Sequence, residues 1–352
     1  MSKETLKALN SSTLIGFTDQ RGNAWHYRKA EQGAESNHYP GEIPVEDVRR
    51  RLFDFTVEPW DVAVSPKLPT DADPADREFR QWSADPDRVA WVRSDTGKPM
   101  GYFKSGYQGH QYGAWLLDTM AKLDLPVGSA GLLRDGAIAW VQAELPENVS
   151  AGGTGISFRP NLLNTTSFDG SVKTTFKKTF TVVVCDNTWR MALDGSGAEF
   201  AVSHSRYSLD RLSGAGSALG LLDKAAVEFT AHLENLTQQA VSDRQWARFL
   251  DRWVPVTNAH GTALTGQALT HATNKRDTLN TLWKDDPRVA PWTGTAFGVA
   301  QAINTFTHHK TRVHKGNDRG ERNTLATVLG DTARVDNDAR RVLTAVLQET
   351  SS

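Results

Sequence analysis

The sequence predicts an α+β fold, and three observations carry that prediction. Short apolar and β-branched runs separated by turn residues fill residues ~50–207. Helices are expected to dominate from ~208 onward, beginning with Leu209 to about Leu250, which is rich in Leu, Ala, Glu and Gln with few helix breakers after Gly220. Strands and helices are thus segregated along the chain, with no β-α-β alternation and no internal repeat, as in a largely antiparallel, hairpin-rich sheet with helices grouped apart. The chain is expected to divide into an N-terminal arm, 1–20, a β-rich core, 21–207, and a helical region, 208–352, packed on that core or following it.

Beyond the arm lie the aromatic cluster Trp25-His26-Tyr27 and a polar, Gly- and Pro-bearing stretch. Pro44 to Phe53 starts like a helix, with proline at the first turn and acids behind it, and Val45, Val48, Leu52 and Phe53 fall near one face. Phe55 to Val64 reads as a strand interrupted by Pro59, and 66–87 as an exposed loop or insertion. Val89–Ser94, a turn at Asp95–Lys98, and Pro99–Lys104 form a predicted hairpin. Ala114 to Leu123 is helical in phase. Ala130–Arg134, Asp135-Gly136 and Ala137–Glu144 make a second hairpin, with Asp-Gly as its turn.

Residues 146–155 read as a loop, Ile156–Thr166 as a strand, and Phe168–Ser171 as a turn. The run Phe180 to Cys185 has the composition of a strand buried on both faces. Asp186-Asn187-Thr188 then suits a helix cap, with a short helix over Trp189–Leu193. Glu199–Tyr207 is one more short strand. Helices are expected within 209–250, 275–283, 294–308, 325–329 and 336–348.

Composition narrows the function. The chain has 352 residues, 39% hydrophobic and 23% charged, with a formal net charge of −1. It is no polycation, so nucleic-acid binding must come from local patches. Its one cysteine, Cys185, allows neither an internal disulfide nor a multi-cysteine zinc site, and reads as a buried thiol in a reducing cytoplasm. No apolar run approaches the ~18–20 residues that span a bilayer, and the N-terminus lacks a signal-peptide core, so the expectation is a cytoplasmic protein with no membrane partner. Eleven tryptophans are many for this length; most suit packing, and some suit stacking on bases or other flat ligands.

No phosphate loop, dinucleotide-binding glycine motif, zinc helix pair or nucleophile elbow is present, and no cofactor is implied. Gly152-Gly153-Thr154-Gly155 stands too isolated for a phosphate loop. His308, His309 and His314 lack a carboxylate or cysteine at ligand spacing, so no metal site is assigned. Two cationic groups are candidates for nucleic-acid contact. One is Lys173, Lys177 and Lys178 around Phe176; strand parity sets Lys173 and Lys177 on one side and Lys178 on the other. The other is Lys310, Arg312, Lys315, Arg319 and Arg322, at a helix C-terminus where cations also suit the dipole. Solvated strand and helix surfaces explain both groups as well.

The run Val182-Val183-Val184-Cys185-Asp186-Asn187-Thr188 followed by Ala192-Leu193 resembles the signature of the phage/plasmid-like proteins, the domain-of-unknown-function family nine-thirty-two. Trp25-His26, Arg93–Gly97 with Tyr107, Gly136–Val141, the turn containing Asp169 and Gly170, His204-Ser205-Arg206, and Gly294-Thr295 with Ala302 and His308 follow in that family's order, over roughly 20–325. Cys185, Asn187 and Thr188 belong to the signature itself. Phe168 stands where the family usually has His, and Phe180-Thr181 where an arginine often precedes the valines. The resemblance implies a protein encoded by a phage, plasmid or integrated element, and no mechanism.

The function expected is therefore binding of nucleic acid, single-stranded DNA preferred, in annealing or recombination, with self-association into rings or filaments by analogy of fold class alone. Two other classes stay open. One is an enzyme with a site near His204, Arg206, Asp186 and Asn187. The other is a host-interaction protein that binds no nucleic acid.

Overall fold

The computed structural model describes residues 12–21, 35–67, 81–122, 125–144, 148–182, 187–189, 199–202, 204, 218–313 and 319–350. Its fold is α+β. The strands are β1 (Thr13–Ile15), β2 (Val57–Val64), β3 (Ser83–Arg93), β4 (Pro99–Lys104), β5 (Val127–Leu133), β6 (Ile138–Glu144), β7 (Val149–Ser150), β8 (Ser157–Ser167), β9 (Thr174–Val182), β10 (Asn187–Trp189) and β11 (Glu199–Val202). The helices are α1 (Thr18–Arg21), α2 (Val45–Leu52), α3 (Asp118–Lys122) behind a π-turn at Gly113–Leu117, α4 (Ala218–Gln238), α5 (Asp243–Trp253), α6 (Gly266–Asp285), α7 (Ala296–Thr305), α8 (Arg319–Leu329) and α9 (Asp331–Thr350).

Two antiparallel sheets form. The larger runs β1-β5-β6-β8-β9-β10, with β7 on β8 and β11 on β9. The smaller is β2-β3-β4. Pro59 is tolerated because β2 is an edge of the smaller sheet, where one side of the strand needs no ladder donor. Cross-strand register puts Ala139, Val141, Leu162 and Phe176 on one face of the large sheet. There they pack with Val48 and Leu52 of α2, with Leu116 and Met120, and with Val57 and Trp91 on the inner face of the small sheet. Farther along, Phe229 of α4 stacks on Phe180, with ring centroids 4.1 Å apart. On the opposite face Ile138, Trp140 and Leu163 pack with Val328 of α8. Helices α5, α6, α7 and α9 share a further core around Trp246, Trp283, Ile303 and Val346.

Several sequence expectations are corrected. Thr13–Ile15 is no loose arm: it pairs with β5, and Leu14 is buried in the core. β3 begins at Ser83, inside the stretch read as a loop. Asn187–Trp189 is not a helix cap and first helical turn but a returning strand, Val182 lying opposite Asn187. Asp and Asn serve turns as readily as caps, and Thr188 and Trp189 favour strands. Val183–Asp186, with Cys185, lie outside the described residues, as do Trp25, His26, Arg206, His314 and Lys315. The helical run read from 209 to 250 is broken before Asp243, where Ser242 and Gln245 form a reciprocal capping box.

Candidate functional site

The outer face of the small sheet carries large aromatics in the open. Trp60 on β2 is 54% exposed and Tyr102 on β4 is 60% exposed. Trp60 pairs with Ala90 and Ala90 with Tyr102, so both rings lie in one row across the sheet with a small residue between them. One row over, Arg88 pairs with Lys104. Both are exposed, and neither has an ion pair among the described residues. Arg88 stands at an irregularity in β3, beside which the β2 register jumps from Asp61–Val89 to Val62–Asp85. Acids flank the row: Glu58 shares the face on the far side of Trp60, and Asp85 accepts from the Asp87 backbone N–H at 3.2 Å. Trp82, 59% exposed, immediately precedes β3.

The inner face is held by a stack of rings. Phe103, next to Tyr102, stacks on Tyr107 at 3.9 Å and 9°; Tyr107 on His204 at 5.0 Å and 18°; His204 on His110 at 3.9 Å and 14°; His110 on Trp115 at 3.6 Å and 9°. Hydrogen bonds fix the stack. The Tyr107 hydroxyl lies 2.6 Å from His204 Nδ1, and His110 Nδ1 lies 2.6 Å from Thr174 Oγ1. Thr174 Oγ1 and Thr166 Oγ1 are 2.7 Å apart, and His204 Nε2 lies 3.4 and 3.3 Å from them. Burial lowers both imidazoles: His110, also facing His204, to about 3, and His204 to about 4, against an opposing hydrogen bond to the Gln108 carbonyl. Both rings are therefore neutral at pH 7. Burial, with the Asp169 carboxylate behind it, raises the Tyr107 phenol above its ordinary range.

The structure separates the sequence-derived cations into exposed ones and ones engaged within the fold. Lys173 is exposed just ahead of β9, and Lys178 is partly exposed. Lys177 is buried, and its ammonium donates toward the Val328 carbonyl at 3.5 Å, because its side of β9 is the face that α8 covers. Lys310 and Arg312 are exposed. Arg319 instead donates to the carbonyls of His308 and Thr311, and Arg322 to that of Thr307, so both close the carbonyl end of the helical segment 296–310. His308 is buried, with Nδ1 3.0 Å from the Asn304 carbonyl. No cluster of His, Cys, Asp or Glu among the described residues could hold a metal ion.

The motif positions in view have structural roles. Asp169 Oδ1 accepts from the Ser171 N–H at 2.9 Å, Gly170 adopts φ +75°, and Arg134 reaches Asp169 at 2.8 Å, so the turn is tied to the neighbouring hairpin. Gly294 adopts φ +86°, and Thr295 caps α7 by accepting from the Gly298 N–H at 3.0 Å. The model of the family described as a domain of unknown function (DUF932) matches residues 99–341. The chain belongs to the DUF932 family. The match takes in β4, the whole ring stack, helices α3 to α8 and the first part of α9, while β1–β3, α1 and α2 precede it. No curated protein and no solved structure matches the chain.

Sequence reasoning missed Trp60, Arg88, Tyr102 and Lys104 as a group, and Tyr107, His110, Thr166 and Thr174 as partners of His204. A signal for the first group was present: Tyr102 and Lys104 alternate with Phe103, the period of a half-exposed strand. What pairs with what across three strands was not readable.

Proposed function

We propose that this DUF932 protein binds nucleic acid, single strands in preference to duplex, through the outer face of β2–β4. One observation carries the reading: two exposed rings, and two exposed cations with no ion pair among the described residues, lie in adjacent rows of one sheet face. Monomeric proteins seldom leave large aromatics grouped in the open without a partner for them. Rings offer sequence-tolerant stacking to unpaired bases, worth about 1–3 kcal/mol each, and flanking Arg and Lys meet phosphate. The resemblance to phage- and plasmid-encoded proteins suits a role in annealing or recombination within such an element.

A second reading, an enzyme working through His204, draws on the Tyr107–His204–Thr174–His110 relay. Its support is thinner: Thr166, Thr174 and His110 are at most 1% exposed, and His204 alone of the imidazole–threonine group meets solvent.

The first reading is tested by fluorescence anisotropy of labelled single- and double-stranded oligonucleotides, titrated with the full chain at several salt concentrations. Salt-sensitive binding that prefers single strands supports it. No binding at low salt removes it and turns attention to His204.

A further inference from the structure

We infer that the outer face of β2–β4 takes one unstacked strand lying across the three β-strands, three nucleotides wide, its bases on Trp60, over Ala90 and on Tyr102, and its backbone over Arg88 and Lys104. The inference rests on the nucleic-acid reading above and adds the ligand's direction, length and conformation.

Register dictates the geometry. Trp60, Ala90 and Tyr102 are directly paired, so the two rings stand two inter-strand spacings apart, roughly 9–10 Å. Bases stacked along one strand of a duplex are spaced at about 3.4 Å, so two stacked steps cover only about 7 Å. A duplex edge or a fully stacked strand reaches both rings only with bases three steps apart, about 10 Å, and so needs four nucleotides with two bases held between the rings. A strand opened at these steps needs only three, its middle base passing above Ala90, which is itself buried between the two neighbouring strands. The cation row Arg88–Lys104 runs parallel to the ring row, two residues along β3 and β4, or about 7 Å away. Bases and phosphates of one strand fit two such parallel rows when the strand crosses the sheet. A strand running along β2 or β4 would meet one ring and at most one of these cations. Glu58, on the same face beyond the rings, repels a backbone placed on the wrong side and so favours phosphates over Arg88 and Lys104.

The test uses the full chain with fluorescently labelled oligothymidylates of two, three, four, six and twelve nucleotides, and trimers abasic at one position. Binding should rise sharply between two and three nucleotides. An abasic centre should be tolerated, and an abasic end should weaken binding. Trp60→Ala and Tyr102→Ala should each weaken the trimer about ten-fold or more, and Tyr102→Phe should restore binding. Arg88→Ala with Lys104→Ala should lower the slope of log affinity against log salt by about 1.4, the value for two single-strand phosphates. All four side chains are exposed, so melting curves should match the unaltered chain. If the protein binds oligonucleotides but the Trp60 and Tyr102 variants bind as tightly, this site is overturned while the nucleic-acid reading stands. Tolerance of abasic ends, or equal binding of duplex through these residues, overturns the unstacked-strand geometry. No binding of any oligonucleotide at low salt removes both.

Discussion

His110 and His204 stack face to face, ring centroids 3.9 Å apart, in a pile of five rings that joins β4 to the large sheet. Two imidazoles at that separation cannot both be charged without strong repulsion, and burial already disfavours either charge. The folded protein therefore binds these protons less readily than the unfolded chain, whose histidines titrate near 6.5.

The sign of the pH dependence follows. The contribution to stability is fully present above about pH 6.5 and is lost as the pH falls toward about 4 for His204 and about 3 for His110. Within that window each histidine costs up to about 1.4 kcal/mol per pH unit. Urea denaturation at pH 7.0, 5.5 and 4.5 should show the midpoint falling steadily, and His110→Gln should flatten the fall. A midpoint that does not move would mean the stack is not closed in solution.

Asp336 on α9 should act in the opposite sense. Burial raises its carboxyl to about 7, and its Oδ2 has no hydrogen-bond partner among the described residues. The folded state then holds a proton between about pH 4 and 7 that the unfolded state releases, so this group's contribution is lost as the pH rises through 7. Asp336→Asn should stabilise the protein at pH 8 by on the order of 1 kcal/mol or more and change little at pH 4. A carboxylate signal in an NMR titration with its midpoint near 4 would contradict the assignment.

How far the sequence foretold this molecule depends on whether a signal was local. The α+β order, the hairpin through Asp95–Lys98 and the Asp135-Gly136 turn were legible, because turn chemistry and period-two alternation act over a few residues. Arg134 and Asp135 both adopt positive φ beside Gly136, as a tight turn demands. Asn187 was misread because its residue type serves caps and turns alike, and only pairing with Val182 decides between them. Parity set Lys177 and Lys178 on opposite sides of their strand, but parity does not say which face a helix 151 residues later will cover. Phe168, where the family usually has His, lies fully buried against Trp91 and Tyr112, a packing role that residue type alone did not reveal.

The lysines in and just ahead of β9 should accordingly separate in their effects. Lys177→Ala removes a buried stem and leaves the Val328 carbonyl without that donor, so it should lower unfolding stability by about 1–3 kcal/mol. Lys173→Ala, on an exposed residue, should stay within about 0.5 kcal/mol. Urea melts of the two single variants decide the matter. If Lys177→Ala melts like the unaltered chain, its burial in the fold is wrong, and Lys177 returns as a candidate for phosphate contact. A variant neutralising all three lysines would confound lost folding with lost binding, so only the single changes are informative.

Gly298, in the first turn of α7, offers a sharper check on how the helical layer meets the loop before it. A Cβ there would collide with the backbone carbonyl of Trp292, and backbone cannot swing aside as a flexible side chain can. The same peptide N–H is the one that Thr295 caps, so relieving the clash would also strain the start of α7. Gly298→Ala should therefore destabilise the chain by about 2 kcal/mol or more, despite the better helix propensity of alanine. Gly153→Ala is the control, since nothing lies within 4 Å of the added methyl. Thermal melts of both variants should differ by several degrees. Equal melting temperatures would show that the Trp292–Thr295 turn yields, and that α7 is not anchored as its capping geometry requires.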